Sequence, residues 1–107
     1  EKTSYFFSGK NFSGEGIYTN EGFVVFKGAK LRKRETPTAK GRFASNFRDD
    51  LIQKGQLSDK GEVYELEQDI ILPSPSAASS MLAGRSTNGW ICWKTKEWKT
   101  LDEIERK

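Results

Sequence analysis

Histidine is absent from this sequence, and cysteine occurs once, at Cys92. Such a chain lacks the usual zinc ligand sets and cannot form an intramolecular disulfide. No apolar run approaches the ~20 residues that a membrane-spanning helix needs, and the N-terminal segment does not have the charged-then-apolar pattern of a secretory signal. We therefore expect a cytoplasmic protein with no membrane partner, no bound metal and no cofactor.

Arrangements of catalytic residues are also scarce. Without histidine, a nucleophile would need a lysine or a carboxylate as its base, and no such pair stands in a recognised motif. The glycines around Gly14 have neither the order nor the spacing of a phosphate-binding loop. Cys92 lies in an apolar run that favours a small core residue over a reactive thiol. We therefore predict no catalytic residues and a protein that is not an enzyme.

Aromatic residues supply most of the surface available for a core. The 107 residues include three Trp and seven Phe, which compensate for a hydrophobic fraction of only 35%, because each aromatic ring buries a large area. This length is typical of one domain. Because residue 1 is Glu rather than Met, we expect residues 1–107 to be a single accessory domain excised from a longer protein.

Strands are predicted wherever β-branched and aromatic residues gather between turn signals. The predicted strands span 5–8, 17–19, 22–27, 62–72 and 90–95, and 29–33 is predicted to be extended. A turn signal at 20–22 joins two of these segments into a hairpin. The resulting sheet is predicted to be mostly antiparallel.

Helices are predicted from apolar spacing and from capping residues. Apolar residues recur at helical spacing over 42–54, and Gly55 fits the end of that helix. The Ser-Pro pair at 74–75 is typical of the start of a second helix, which Gly84 ends. The capping-box spacing over 100–103 predicts one or two final helical turns. The expected fold class is α+β, a small mostly antiparallel sheet with two or three short helices packed on it.

Two tryptophans compete for the core position in the predicted strand over 90–95. Trp90 and Trp93 lie three residues apart, so their side chains point to opposite faces of a strand. We interpret Trp90 as the core residue, because it directly follows the turn predicted at Asn88 and Gly89. Trp93 is then expected to be exposed or at a rim.

Positive charge is concentrated in one part of the chain. Between residues 22 and 54, nine basic residues accompany three acidic ones, whereas residues 55–72 contain five acidic residues and one basic residue. Basic side chains along one strand and loop attract a polyanion, and phosphate backbones are the natural ligand. The other interpretation is an exposed strand edge that is kept charged to prevent pairing with other chains.

Residues 69–93, with the sequence DIILPSPSAASSMLAGRSTNGWICW, carry a family resemblance, together with GFVVFKG at 22–28. They resemble the small domain of unknown function found at the C-termini of restriction-modification methyltransferase subunits and of some GIY-YIG nucleases. The SPSAA and NGW elements are also similar to the RAMA domain, the restriction-enzyme adenine-methylase-associated module. Ala29 stands where members of the family often carry Ser, a departure that leaves the expected fold unchanged.

The resemblance implies a prokaryotic, non-catalytic module that accompanies a DNA enzyme and recognises duplex DNA, including modified DNA. The implied protein partner is a methyltransferase or nuclease domain of the same or a partner chain. The helix start at Ser74 presents main-chain N–H groups. In one interpretation the Ser74 side chain simply caps them, and in the other they also bind a phosphate. The predicted nucleic-acid-binding residues are Lys27, Lys30, Arg32, Lys33, Arg34, Lys40, Arg42, Ser74, Ser76, Arg85, Asn88 and Trp93.

A different class of function stays open beside DNA binding. The chain could be a protein-interaction or structural module that docks onto a methyltransferase or nuclease subunit. In that case Trp93, Trp98 and the acidic strand are expected to form the contact surface.

Overall fold

The computed structural model describes residues 2–106, in which a seven-stranded sheet is combined with four helices. The strands are β1 (Ser4–Gly9), β2 (Phe12–Thr19), β3 (Gly22–Val25), β4 (Lys30–Arg32), β5 (Leu57–Asp59), β6 (Val63–Leu66) and β7 (Ile70–Leu72). The helices are α1 (Phe43–Gln53), α2 (Pro75–Ala83), α3 (Gly89–Cys92) and α4 (Leu101–Glu105). All strand pairs are antiparallel, which confirms the α+β prediction, with more helices than expected. No helix within 2–106 is long and apolar enough to cross a membrane.

Strand β2 lies at the centre of the sheet. β1 pairs along one side of it, and its other side is shared by β3, which pairs with residues 16–19, and by β4, which pairs at Ser13. The sheet continues from β3 to β7, and from β4 through β6 to β5. The basic strand β4 pairs with β6 along its length and with β2 at Lys30, so Lys30 does not lie at an exposed strand edge, whereas Leu31 and Arg32 are paired on one side.

One face of the sheet is covered by α2, which contacts β2, β3, β4 and β7. The core residues on this face include Tyr5, Phe23 and Leu31, which are fully buried. Helix α2 approaches the sheet closely because β2 carries glycine where the helix crosses it. A Cβ atom at Gly14 would lie 2.6 Å from Cδ1 of Leu82.

The local signals for α1, α2 and α4 are confirmed. The hydroxyl oxygen of Ser74 accepts a hydrogen bond from the N–H of Ala77 at 3.1 Å, Pro75 occupies the first turn, and Gly84 ends α2 with a φ of 72°. At the start of α4, Thr100 and Glu103 form the expected capping box. These contacts are local in sequence, which is why the sequence predicts them.

Residues 90–95 do not form the predicted strand. Instead, α3 makes a single helical turn, in which the Asn88 side chain accepts a hydrogen bond from the N–H of Trp90 at 3.0 Å. The expected order of the tryptophans is reversed, because Trp93 is 0% exposed whereas Trp90 is half-buried. Gly89 packs directly on the backbone of Pro75, where a Cβ atom would overlap main-chain atoms. This contact turns the chain away from an extended path.

The predicted strand over 62–72 is divided into β6 and β7. Between them, the Asp69 carboxylate accepts a hydrogen bond from the N–H of Lys27 at 2.7 Å. The division lets β6 pair with β4 while β7 pairs with β3.

Candidate nucleic-acid interface

The predicted basic strand faces acidic residues in the folded protein. Lys30 of β4 lies directly opposite Glu65 of β6, so the two side chains share one face of the sheet. Lys33 forms an ion pair with Asp59, with 2.5 Å between Nζ and Oδ1. This hydrogen bond from Lys33 lowers the pKa of Asp59, and the N–H of Gly61 adds to the effect. The acidic segment therefore offsets part of the positive charge that the sequence concentrates here.

Arg32, Lys33 and Arg34 meet Lys10 at the end of the sheet. They line a hollow of about 350 Å³ to which Glu62 also contributes. The sequence alone did not indicate Lys10, since it stands outside the basic stretch and reaches the hollow through the turn between β1 and β2.

A second hollow, of about 290 Å³, lies between the start of α1 and the N-terminal half of α2. We call it the arginine cleft. It brings together Arg42, Ser76 and Arg85, three predicted site residues that are far apart in the sequence. The other residues that line it are Glu35, Ala39, Phe43, Ala44, Ser45, Ala77, Ser80, Ser86 and Thr87.

Hydroxyl groups of α2 hold the loop that carries Arg85. The hydroxyl oxygen of Ser80 accepts a hydrogen bond from the N–H of Thr87, and that of Ser76 accepts one from the N–H of Gly89, each at 2.9 Å. The hydroxyls of Ser79 and Thr87 are 2.6 Å apart. The loop over 85–88 is thus fixed on α2, which keeps Arg85 at the cleft.

Helix α1 opens onto the cleft without a side-chain cap. Its N-cap residue, Arg42, makes no capping hydrogen bond, and the first turn contains no acidic residue. Instead of capping the helix, Ser45 donates a hydrogen bond from its hydroxyl to Oε1 of Glu35 at 3.2 Å. The main-chain N–H groups over 43–45 have no partner among residues 2–106. Such a helix start carries partial positive charge and can bind an anion.

The start of α2 is occupied, unlike that of α1. The Ser74 side chain caps it, and the carbonyl oxygen of Pro75 accepts a hydrogen bond from Nε1 of Trp93 at 3.0 Å. Of the predicted site residues, Ser74 and Asn88 use their side chains as helix caps. Trp93 is buried, so the prediction that it is exposed and available for binding is wrong.

Arg48 is buried next to Glu35, one of the residues that line the cleft. This arginine, counted in the basic stretch, is 2% exposed. Its guanidinium donates hydrogen bonds to the carbonyl oxygens of Lys33 at 3.2 Å and Met81 at 2.5 Å. Its Nε lies 3.9 Å from Oε2 of Glu35. Burial lowers the pKa of Arg48, and the negative charge of Glu35 opposes this shift. The positive charge of Arg48 balances the negative charge of Glu35, which also lines the cleft. The remaining positive charges of the cleft are therefore those of Arg42 and Arg85.

The apolar residues that predict the first helix over 42–54 include Phe43, whose side chain is 53% exposed at the cleft. The core side of α1 is formed by Ala44, Phe47 and Leu51. These three residues already follow helical spacing, so the apolar pattern does not require Phe43. That redundancy is the sequence signal that could have indicated an exposed ring.

The chain matches one known sequence family. The match covers residues 5–105, and the family is described as a domain of unknown function, DUF4357. No curated protein matches the chain, and no solved structure matches it.

Proposed function

This chain belongs to the DUF4357 family of domains of unknown function, and we propose that it is a non-catalytic module that binds duplex DNA through the arginine cleft. One observation carries the proposal: Arg42 and Arg85 flank the uncapped start of α1. Neither arginine forms an ion pair within residues 2–106. Their charges are therefore available to a ligand.

A phosphate group suits this arrangement chemically. Guanidinium groups bind phosphate oxygens in a bidentate manner, and main-chain N–H groups at a helix start add directed donors. Lys40 and Arg34 are exposed on the segment that runs toward Arg42 and supply further contacts to the DNA backbone. These contacts set the position of the duplex without reading its sequence.

Phe43 offers the apolar component of the interface. Its exposed ring lines the cleft together with Arg42 and Arg85 and can pack on a deoxyribose or on an exposed base edge. The resemblance of residues 69–93 to modules of restriction-modification methyltransferases and nucleases supports a prokaryotic, cytoplasmic setting, in which such an enzyme is the partner and modified DNA is a ligand.

Fluorescence anisotropy with a labelled duplex at several salt concentrations tests the proposal. With three to four phosphate contacts, the slope of log affinity against log salt should be about −3 to −4. The double variant Arg42→Ala, Arg85→Ala should weaken binding and reduce the magnitude of the slope by about two. The same duplex with N6-methyladenine tests whether modified DNA is preferred.

The matched control is Lys60→Ala, Lys99→Ala, which removes the same charge at two exposed lysines outside the cleft and outside the predicted DNA-binding residues. It should bind nearly as well as the wild type. An equal loss in both double variants would indicate attraction to net charge alone, and no binding at low salt would contradict DNA binding. The double variant Lys10→Ala, Arg32→Ala measures the contribution of the hollow at the end of the sheet.

A further inference from the structure

A separate groove of about 680 Å³ lies beside the edge strand β1. We call it the Trp98 groove. Its lining is mainly apolar, with Phe6 and Phe7 from β1, Ile91 from α3, and Trp98 from the loop that precedes α4. Ile91 and Trp98 are 56% and 76% exposed. Large apolar side chains gathered at one exposed place are typical of an interaction site.

The loop over 95–99 holds Trp98 outward. It is closed by hydrogen bonds from the N–H of Thr95 to the carbonyl oxygen of Lys99 and from the N–H of Trp98 to that of Thr95, both at 2.9 Å. Trp98 has a φ of 67°, which is unusual for a residue that is not glycine. Lys94 places its Nζ 5.3 Å from the centre of the indole ring. The hydrogen bonds of the loop hold this backbone conformation, so the exposed position of the ring is part of the folded structure.

Strand β1 contributes the unpaired backbone groups of one residue, Ser8, to the groove. Phe6 turns its N–H and carbonyl oxygen outward to Lys94, at 2.7 and 3.0 Å. Since outward groups alternate along an antiparallel strand, those of Ser8 also point away from β2. They have no partner among residues 2–106, and Ser8 lines the groove. The N–H and carbonyl oxygen of Ser8 can therefore form hydrogen bonds with an extended peptide.

The positive charge of the groove favours acidic peptides over basic ones. Lys94 and Lys96 line it, and no carboxylate of residues 2–106 does. Acidic side chains on an extended peptide would find complementary charge here, while a large apolar side chain would pack against Trp98 and Ile91.

We infer that the Trp98 groove binds an extended, acidic segment of a partner protein, which pairs with the backbone of Ser8 and inserts an apolar side chain against Trp98. This surface shares no residue with the arginine cleft, so the inference stands independently of DNA binding. Stacking of single-stranded nucleic acid on Trp98 is the competing use of an aromatic and basic surface.

The probe is a synthetic peptide, Ac-DEFELED-NH2, which contains no tryptophan and alternates acidic and apolar residues. We expect it to shift the fluorescence of Trp98 to shorter wavelength and to move the NMR amide signals of Ser8 and Thr95. The same peptide with lysine in place of every acidic residue should not bind. A deoxythymidine oligomer that occupies the groove more tightly than the peptide would overturn the inference.

Variants of the protein separate the three components of recognition. Trp98→Ala should weaken binding of the peptide roughly tenfold, and Lys96→Glu should weaken it roughly fivefold. Ser8→Pro removes an N–H that points away from β2, at an edge-strand position where proline is tolerated, and it should also weaken binding. Ile104→Ala and Lys60→Glu change an exposed apolar residue and a lysine elsewhere, and they should have no effect.

The DNA variant Arg42→Ala, Arg85→Ala should bind the peptide as the wild type does, which separates this result from the test of the cleft. Peptide affinity that is unchanged in Trp98→Ala or Lys96→Glu would overturn the inference. So would the absence of any shift at Ser8 and Trp98 at millimolar peptide. Thermal melts of each variant confirm that the fold is retained.

Discussion

The indole Nε1–H of Trp93 donates a 3.0 Å hydrogen bond to the main-chain oxygen of Pro75, at the first turn of α2. The ring itself packs against Phe23, with 4.4 Å between ring centres, and against Phe7. One side chain therefore connects the β1–β3 hairpins, α2 and the segment that follows α3. The bond also gives the buried indole N–H an acceptor.

Replacement of Trp93 should destabilise the fold far more than replacement of Trp90. Trp93→Ala leaves a large cavity and should cost about 3 to 5 kcal/mol. Trp90 packs at the surface between Tyr18 and Arg106, so Trp90→Ala should cost about 1 to 2 kcal/mol. Chemical denaturation of the two variants measures both values. Equal costs would contradict the assignment of Trp93 as the centre of the core.

Gly89→Ala should destabilise the protein although it adds only one methyl group. The new Cβ would overlap the backbone of Pro75, which cannot move without displacing α2. Overpacking of this kind typically costs about 1 to 3 kcal/mol. Gly14→Ala is the matched control, since its Cβ would meet side-chain atoms rather than backbone, with Cδ1 of Leu82 nearest at 2.6 Å. Thermal melts should show a smaller loss for Gly14→Ala.

Arg48→Met should be strongly destabilising because Glu35 and two carbonyl groups lose their buried partner. Loss of one member of a buried pair typically costs about 3 to 5 kcal/mol. Adding Glu35→Gln removes the uncompensated charge and should recover part of the loss. A double-mutant cycle by urea denaturation measures the coupling. Strictly additive effects would show that Arg48 acts only through the carbonyl groups.

Tyr5 should make stability fall at alkaline pH. Burial raises the pKa of Tyr5, and the hydrogen bond to Glu105 at 2.9 Å raises it further. The unfolded chain loses this proton near the ordinary value of about 10, while the folded chain retains it. The associated stabilisation is complete below that pH and declines as pH rises above it.

Comparison of the wild type with Tyr5→Phe isolates this effect. The variant should be less stable at neutral pH by about 1 kcal/mol, because it lacks the hydrogen bond. The difference should shrink as the pH rises past about 10. Glu105→Gln, which removes the charge and keeps an acceptor, should show an intermediate slope. A difference that stays constant with pH would contradict the role of Tyr5.

The sequence predicts those parts of the fold that local chemistry determines. The caps at Ser74 and Thr100, the glycine that ends α2, and the hairpin of β2 and β3 all depend on residues within a few positions of each other. The helical turn of α3 could not be predicted in this way. It depends on the contact of Gly89 with Pro75, which only the folded chain brings together.

The candidate site was predictable only in part, for the same reason. The sequence predicts Arg42, Ser76 and Arg85 as nucleic-acid-binding residues, but only the packing of α1 on α2 places them around one cleft. It cannot show that Lys30 lies across from Glu65, since their registration depends on pairing of strands separated by a helix. Nor does charge counting reveal that Arg48 is buried beneath the site.

The hydrogen bond between Tyr5 and Glu105 brings the two ends of the described chain to one side of the molecule. A circular permutant, with these ends joined by a short linker, would lose little loop-closure entropy. The turn at Gly61 is exposed, so the chain could be reopened there without breaking the sheet. In such a permuted order β6 would begin the polypeptide and β5 would end it, with the same core enclosed between them.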